Sequence, residues 1–444
     1  MTHTTFNTMQ RTALCISMLL IANVLRCAPF VYVGNNGSNS VSVIDAATNE
    51  VITTVNLGTA PDVQIAITTD GKTVWVPCFD GTTGTVQLID VATNTLLPEI
   101  VIGSGQVALG VAMSPDGLYA YVVSYAAPTG YITQFNTTTK AIVSTVSGAF
   151  EPLTIFITPD GKTAYIGDGS DTILPVDLTT NPPTLGTQVH LVGTGAFAIS
   201  PDSAYLYANS ETPNHYVAQY NISNANRLAP FPLNTISYPT IVPFQPTGLA
   251  MTSDGKTLYV ASGSIYFNAI GTINISNPAS PTTGTVVTDA TINGPLTIAL
   301  TSDDNSLYVV SQLDDMTNVI NTSSPLNPTF KTSVSVGTHP ISLAITPGSS
   351  SAPTNVSGCK TQNVFLLQTD YINKLSWSAP ATGSPVAYNI YRDATLTDLA
   401  GSSSSLEFYD HGRNPSVIYS YYITSVDGSG NQSTAASVTV TSPC

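Results

Sequence analysis

Opening an ester or lactone needs a carboxylate or imidazole beside a polarised carbonyl, and holding a sugar needs aromatic faces beside hydrogen-bonding groups. Both kinds of residue gather in a few segments of this chain. Glu211 and His215 stand four residues apart in Glu211-Thr-Pro-Asn-His215-Tyr216, close enough for a carboxylate and an imidazole in one loop to form an acid–base couple. Phe79 with Asp80, Tyr125, Glu151, Asp168, Tyr216, Tyr266 with Phe267, Asp314 and His339 complete an acidic and aromatic set. That set suits a sugar, a peptide or a cation such as Ca²⁺. Acid–base material is otherwise sparse. Up to residue 347 the chain has only four Glu (50, 99, 151, 211), and His190 sits in an alternating Gln-Val-His-Leu-Val segment that reads as structural. No nucleophile elbow, phosphate loop, Cys-x-x-Cys or zinc spacing occurs, so no cofactor is expected.

Charge narrows the partners. Across 444 residues there are 12 Lys+Arg against 27 Asp+Glu, a formal charge of −15, and charged residues make up only 9%. Such a surface cannot neutralise several phosphates, which excludes nucleic acid. No stretch after residue 28 approaches the ~20 apolar residues of a membrane helix. The apolar run 12–25, preceded by Gln10-Arg11, fits the core of a secretory signal spanning 1–27.

The elements that must position the candidate residues are legible from a repeat. An apolar strand, a turn of the type Ser/Thr-Pro-Asp-Gly, and a Leu/Ala-Tyr-Val strand recur seven times, with turns at 68–73, 114–117, 158–163, 200–203, 252–257, 301–304 and 346–349. The first six intervals are 46, 44, 42, 52, 49 and 45 residues. A period of ~40–50 residues with short alternating strands predicts propeller blades. The Asp-Gly pairs supply the positive φ of a tight hairpin between an inner strand, 63–67 in the first complete unit, and a second strand at 74–76. The chain enters at a second strand, 30–33, and the repeats end on an inner strand, 341–345, so the two ends must pair to close the ring. Candidate residues then fall on the face that carries the loops before each inner strand and between the second and third strands.

Phe30-Val-Tyr-Val-Gly-Asn-Asn-Gly-Ser-Asn-Ser-Val-Ser-Val-Ile-Asp45 resembles the YVTN repeat of bacterial and archaeal β-propellers. The resemblance covers about 28–350 and implies an all-β, seven-bladed β-propeller over 28–347. Seven-bladed lactonases of the 6-phosphogluconolactonase type share that architecture. Their anionic substrates call for Lys or Arg near the centre, whereas Arg227 and Lys331 are the cations here outside the turns, with Lys140 beside a turn.

A Ser/Gly-rich linker is expected at 348–358, and 359–444 resembles a fibronectin type III or immunoglobulin-like sandwich. Trp377 would fill its core, and Tyr419 or Tyr421 would make the tyrosine corner. Cys359 and Cys444 flank this unit and are the disulfide candidates, although sandwich termini at opposite poles, ~30 Å apart, count against a bridge. Seven Asn-x-Ser/Thr sequons are no more than this composition yields by chance. The expectation is a monomeric, exported surface or secreted protein of binding or adhesion type, recognising a glycan or protein through the loop face. The alternatives are a lactonase-like hydrolase and a structural envelope component.

Overall fold

The computed structural model describes residues 29–444 apart from 149, 169–171, 191–195, 211–215, 224–232, 238–245, 264–267, 349–351, 366–367, 381–384, 386, 427–431 and 434. Every regular element among the described residues is a β-strand. The expected signal at 1–27 lies outside them.

Among the described residues, 30–345 form seven sheets, written from the inner strand outward. Blade 1 is Pro340–Ile345, Phe30–Asn35, Ser40–Asp45 and Glu50–Asn56; blade 2 is Ala60–Pro61 with Ala66–Ile67, then Thr73–Phe79, Thr83–Asp90 and Thr95–Ser104. Blade 3 is Val107–Met113, Tyr119–Ala126, Thr129–Asn136 and Ile142–Gly148; blade 4 is Pro152–Ile157, Thr163–Asp168, Thr172–Asp177 and the short pieces Thr184–Leu185 and Val189–His190. Blade 5 is Phe197–Ile199, Tyr205–Ser210, Tyr216–Asn221 and Asn234–Ile236; blade 6 is Pro246–Met251, Thr257–Gly263, Asn268–Asn274 and Thr282–Val287. Blade 7 is Pro295–Leu300, Ser306–Ser311, Met316–Asn321 and Thr329–Ser335.

The ends close the ring as the register required. Val31, Tyr32 and Val33 pair with Ile345, Ala344 and Leu343. The Phe30 N–H donates to Thr346 Oγ1 at 2.7 Å and the Thr346 N–H to the Phe30 carbonyl at 2.9 Å. In blade 7 the Ser306 N–H and carbonyl bond Thr301 in the same way, so the chain ends reproduce a hairpin turn without being joined. One aromatic per blade fills the gap between sheets: Tyr32, Trp75, Tyr121, Tyr165, Tyr207, Tyr259 and Tyr308 are all buried. Tyr308 donates to Asn49 Oδ1 at 2.7 Å, tying blade 7 to blade 1.

The repeated turn has two physical reasons. Its Asp carboxylate accepts the hydroxyl two residues earlier and the amide two residues later, as Asp70 does from Thr68 and Lys72. Its second and fourth residues also mesh with the next blade. Gly117 has φ +73°, and a Cβ there would stand 2.2 Å from Thr69 Oγ1 of blade 2, so only glycine fits. At the blade 6–7 junction, the Ser253 hydroxyl donates to Asp304 at 2.6 Å instead.

The C-terminal unit has two sheets. Thr354–Phe365, Gln368–Ser378 and Glu407–Asp410 form one; Leu399–Ser403, Ala387–Tyr391, Tyr419–Val426 and Ala436–Val440 form the other. Trp377 packs with Leu375, Tyr388, Ile390, Tyr421, Ile423 and Val440 between them. The first strand starts at Thr354, inside the stretch read from the sequence as a linker. Cys359 is therefore mid-strand, not at a pole. The chain end runs back beside it, with Lys360 bridging Pro443, and Cys359 and Cys444 form a disulfide with Cα atoms 4.9 Å apart. The opposite-pole expectation fails for that reason.

Candidate functional site

The loops that gather on one face carry three hydrogen-bonded groups. Across blades 3 and 4, Tyr125 donates its hydroxyl to Glu151 Oε1 at 2.7 Å. The Glu151 N–H donates to Asp168 Oδ2 at 3.1 Å, and the Gln188 amide donates to the same oxygen at 3.1 Å. The Glu151 carboxylate holds the Tyr125 hydroxyl above its ordinary pKa, because ionising the phenol would break that bond and set two negative charges together. Asp168 is 1% exposed at the end of its strand. It thus braces the loop that presents Glu151.

Between blades 6 and 7, Asn268 donates to Asn293 Oδ1 at 3.1 Å and Asn293 to Asp314 Oδ1 at 2.9 Å. Between blades 7 and 1, the His339 N–H donates to Asp315 Oδ1 at 2.7 Å, which leaves the exposed imidazole clear of that contact. Asp315 and His339 both take positive φ (+55° and +53°), and their mutual bond holds these left-handed backbones.

Other predicted residues are placed differently. Asp80 Oδ1 is committed to its own turn, accepting the Thr82 hydroxyl and the Thr82 and Thr83 amides, each at 2.7 Å. The Thr82 hydroxyl and these amides hold its carboxyl below the usual range. Phe79 is half-buried and pairs with Gly84 and Ala60 in its sheet. Tyr216 begins a third strand and packs on the Tyr165–Phe197–Tyr220 cluster. His190, read as structural, is exposed on a two-residue edge strand. Glu211, His215, Tyr266 and Phe267 lie outside the described residues. Among the described residues, no three His, Cys, Asp or Glu side chains gather as a metal site.

A carboxylate absent from the predicted set occupies the same face. In blades 1, 3, 4, 6 and 7 the inner strand slips by one residue against the second strand near its start. Blade 2 slips by two: Pro61 pairs with Cys78, but Ala66 pairs with Trp75. The expected continuous strand at 63–67 is therefore broken, and 62–65 bulge. Asp62 opens the bulge, with its N–H on the Pro77 carbonyl at 2.9 Å and its carbonyl accepting from Ser342 of blade 1 at 3.3 Å. Its Oδ1 accepts the adjacent Val63 N–H at 2.9 Å. Burial pushes this carboxyl up to about 6, against only that one compensating bond.

Gln64 leaves the bulge across blade 3. Its backbone donates to the Leu109 carbonyl at 3.1 Å, and its side-chain amide both donates to and accepts from Ile155 of blade 4. A sequence signal existed: Pro61-Asp-Val-Gln-Ile-Ala-Ile67 is one residue longer than Pro295-Leu-Thr-Ile-Ala-Leu300 or Pro340-Ile-Ser-Leu-Ala-Ile345. At the opposite, turn-bearing face, inner strands of blades 5–7 line an open hollow of ≈ 390 Å³, with Phe197, Leu249, Met251 and Ile298 beside Ser253 and Asp304 on its walls.

No protein-family model matches the chain. A seven-bladed β-propeller protein of Mycobacterium tuberculosis is 29% identical over 132 residues, which is 29% of this chain and 32% of that protein. The chain thus spans about a third of the length of this curated relative. Among solved structures, the periplasmic gluconolactonase PpgL of Pseudomonas aeruginosa matches with a TM-score of 0.59 at 16% identity, covering 72% of this chain and 99% of that one. A Bacteroides uniformis protein carrying a provisional 6-phosphogluconolactonase name matches with a TM-score of 0.58 at 13% identity over 72% and 99%. A functionally unknown protein from Desulfotomaculum acetoxidans gives 0.57 at 18% over the same shares. At these identities the likeness is one of fold, and it agrees with the seven radiating sheets: the chain is an all-β protein built on a β-propeller.

Proposed function

We propose that the propeller is a lactonase-like hydrolase acting on an uncharged sugar lactone at the loop face. The observation that carries this reading is the chemistry of that face. Glu151, Asp314 and Asp62 offer carboxylates and Tyr125 an aromatic ring, while its described residues include no Lys or Arg. A phosphorylated lactone would meet these carboxylates with no Lys or Arg among the described residues to offset them, and would be disfavoured. A neutral polyol ring would find acceptors for its hydroxyls and a face to stack on. The fold-level likeness to a gluconolactonase agrees with a neutral substrate but is an analogy of architecture.

Purified 29–444 incubated with glucono-δ-lactone and with its 6-phosphate tests the reading. Hydrolysis of the neutral lactone above the spontaneous rate, with the phosphate ester slower, supports it. Equal background rates for both would leave reversible recognition of a glycan or protein as the second reading. The C-terminal unit favours that alternative, since a spacer or adhesion module suits a surface binder. We assign this unit to the fibronectin type III class. Its support is the partition of strands one, two and five against three, four, six and seven, together with the Tyr419 hydroxyl accepting the Asn414 N–H five residues upstream. Export, on the strength of the 12–25 apolar run, and YVTN membership, on the strength of the 30–45 motif, belong to the same proposal.

A further inference from the structure

We infer that Asp62 is the general base of this site, taking a proton from the water that attacks the carbonyl of a small cyclic ester at the loop-face end of the central tunnel. The inference rests on the lactonase reading above. Its basis is geometric. Asp62 stands near the start of an inner strand, on the side where the loops converge, and there the strand carries two extra residues instead of one. A β-bulge re-aims side chains and ends pairing, and bulges concentrate beside active sites. The bulge is held from both sides, by Pro77 and Ser342 at Asp62 and by Leu109 and Ile155 at Gln64. Gly110 lies under the Gln64 amide, and a Cβ there would come within 2.9 Å of Gln64 Oε1.

The groups packed around Asp62 leave it the chemical work. On its own blade the neighbouring acid is the Cys78 thiol, which burial pushes up to about 12, so it stays protonated. Across the blade junction stand Ser342 and Asn36, which do not ionise; the Asn36 amide bonds the Pro61 carbonyl, and its N–H bonds that of His339. Among the described residues no cation pairs with the carboxylate, and its raised affinity for protons places it near the range where a general base is most effective. The step balances without a co-reactant. Water adds to the lactone carbon as Asp62 takes one of its protons. The ring C–O bond then breaks, and the departing ring oxygen receives that proton as a hydroxyl. The product is the open hydroxy acid and the carboxylate is regenerated.

Asp62→Asn in 29–444 is the test, read as kcat/KM on glucono-δ-lactone from pH 4 to 8. The expected result is a loss of about 10²-fold or more and disappearance of the inflection near pH 6, with KM little changed and a melting temperature no lower than that of the wild type. A second variant, deletion of Val63, shortens the bulge to the length of the other blades and should also abolish activity while the β-sheet circular dichroism persists. Wild-type hydrolysis that Asp62→Asn leaves intact would overturn the inference and spare the lactonase reading. Absence of hydrolysis in the wild type would overturn both.

Discussion

Lys140 lies over the indole of Trp75, with Nζ 5.0 Å from the ring centroid. The contact joins the turn after blade 3's third strand to the second strand of blade 2. At the equivalent junctions Tyr32 donates to Asn94 Oδ1 at 2.6 Å and Tyr308 to Asn49 Oδ1 at 2.7 Å. Asn49, Asn94 and Lys140 all have positive φ. Where the aromatic loses its hydroxyl, the left-handed turn residue changes from an amide to a cation, and the blades remain coupled through the ring face.

Exchanging that pair should reveal the coupling. Trp75→Tyr alone leaves a small gap and a turn residue unsuited to the new hydroxyl, and Lys140→Asn alone removes the cation–π contact. Each should lower stability, Lys140→Asn by about 0.5–2 kcal/mol. The double variant should recover part of the combined loss, read as a non-additive midpoint in urea unfolding.

The two Gln64–Ile155 hydrogen bonds give a second prediction. Gln64→Leu removes both and leaves the Ile155 N–H and carbonyl without that partner. A loss of about 1–3 kcal/mol is expected from two net hydrogen bonds. Amide hydrogen exchange at Ile155 should accelerate more than that of its strand neighbours.

Asp62 also predicts a pH dependence of stability. Its folded pKa, about 6, lies above the ordinary value, so the folded state holds the proton more tightly than the unfolded chain. This contribution favours folding below the ordinary carboxylate pKa and is lost as pH rises through 6. Asp62→Asn should therefore stabilise relative to wild type by about 1–2 kcal/mol at pH 8, discounted for partial solvent access, and by almost nothing at pH 4. Chemical denaturation at the two pH values checks the sign.

Reduction of Cys359–Cys444 should act on the C-terminal sandwich. The bridge closes a separation of 85 residues, so its loss should cost about 2–4 kcal/mol there. Paired serines at 359 and 444 should lower the sandwich transition in calorimetry and leave the propeller transition in place.

Much of this architecture was written in the repeat. The seven turns, the entry at a second strand and the closing of the ring between its ends follow from spacing alone, because each blade repeats one hydrophobic period and one turn chemistry. The sequons were opaque for an instructive reason. Asn221 and Asn274 cap the turn after their third strands, each accepting the hydroxyl of the Ser two residues on at 2.6 Å. Asp177 does the same with Thr179 at 2.6 Å. The Asn-x-Ser/Thr pattern there is turn chemistry repeated by blade. Cys359 and Cys444, the disulfide candidates, are bridged; only the opposite-pole objection failed, because strand limits near Cys359 depend on pairing with 368–378, which no local signal displays. Asp62 escaped notice because a one-residue difference in an apolar strand is quiet, and its perturbed acidity arises from burial that only the assembled ring creates.

The initial rate of glucono-δ-lactone opening by 29–444, measured above the spontaneous rate between pH 4 and 8, tests the central claim most directly. A rate that rises with a midpoint near pH 6 and is faster than for the 6-phosphate is the predicted result. A rate equal to the spontaneous one across that range would contradict it.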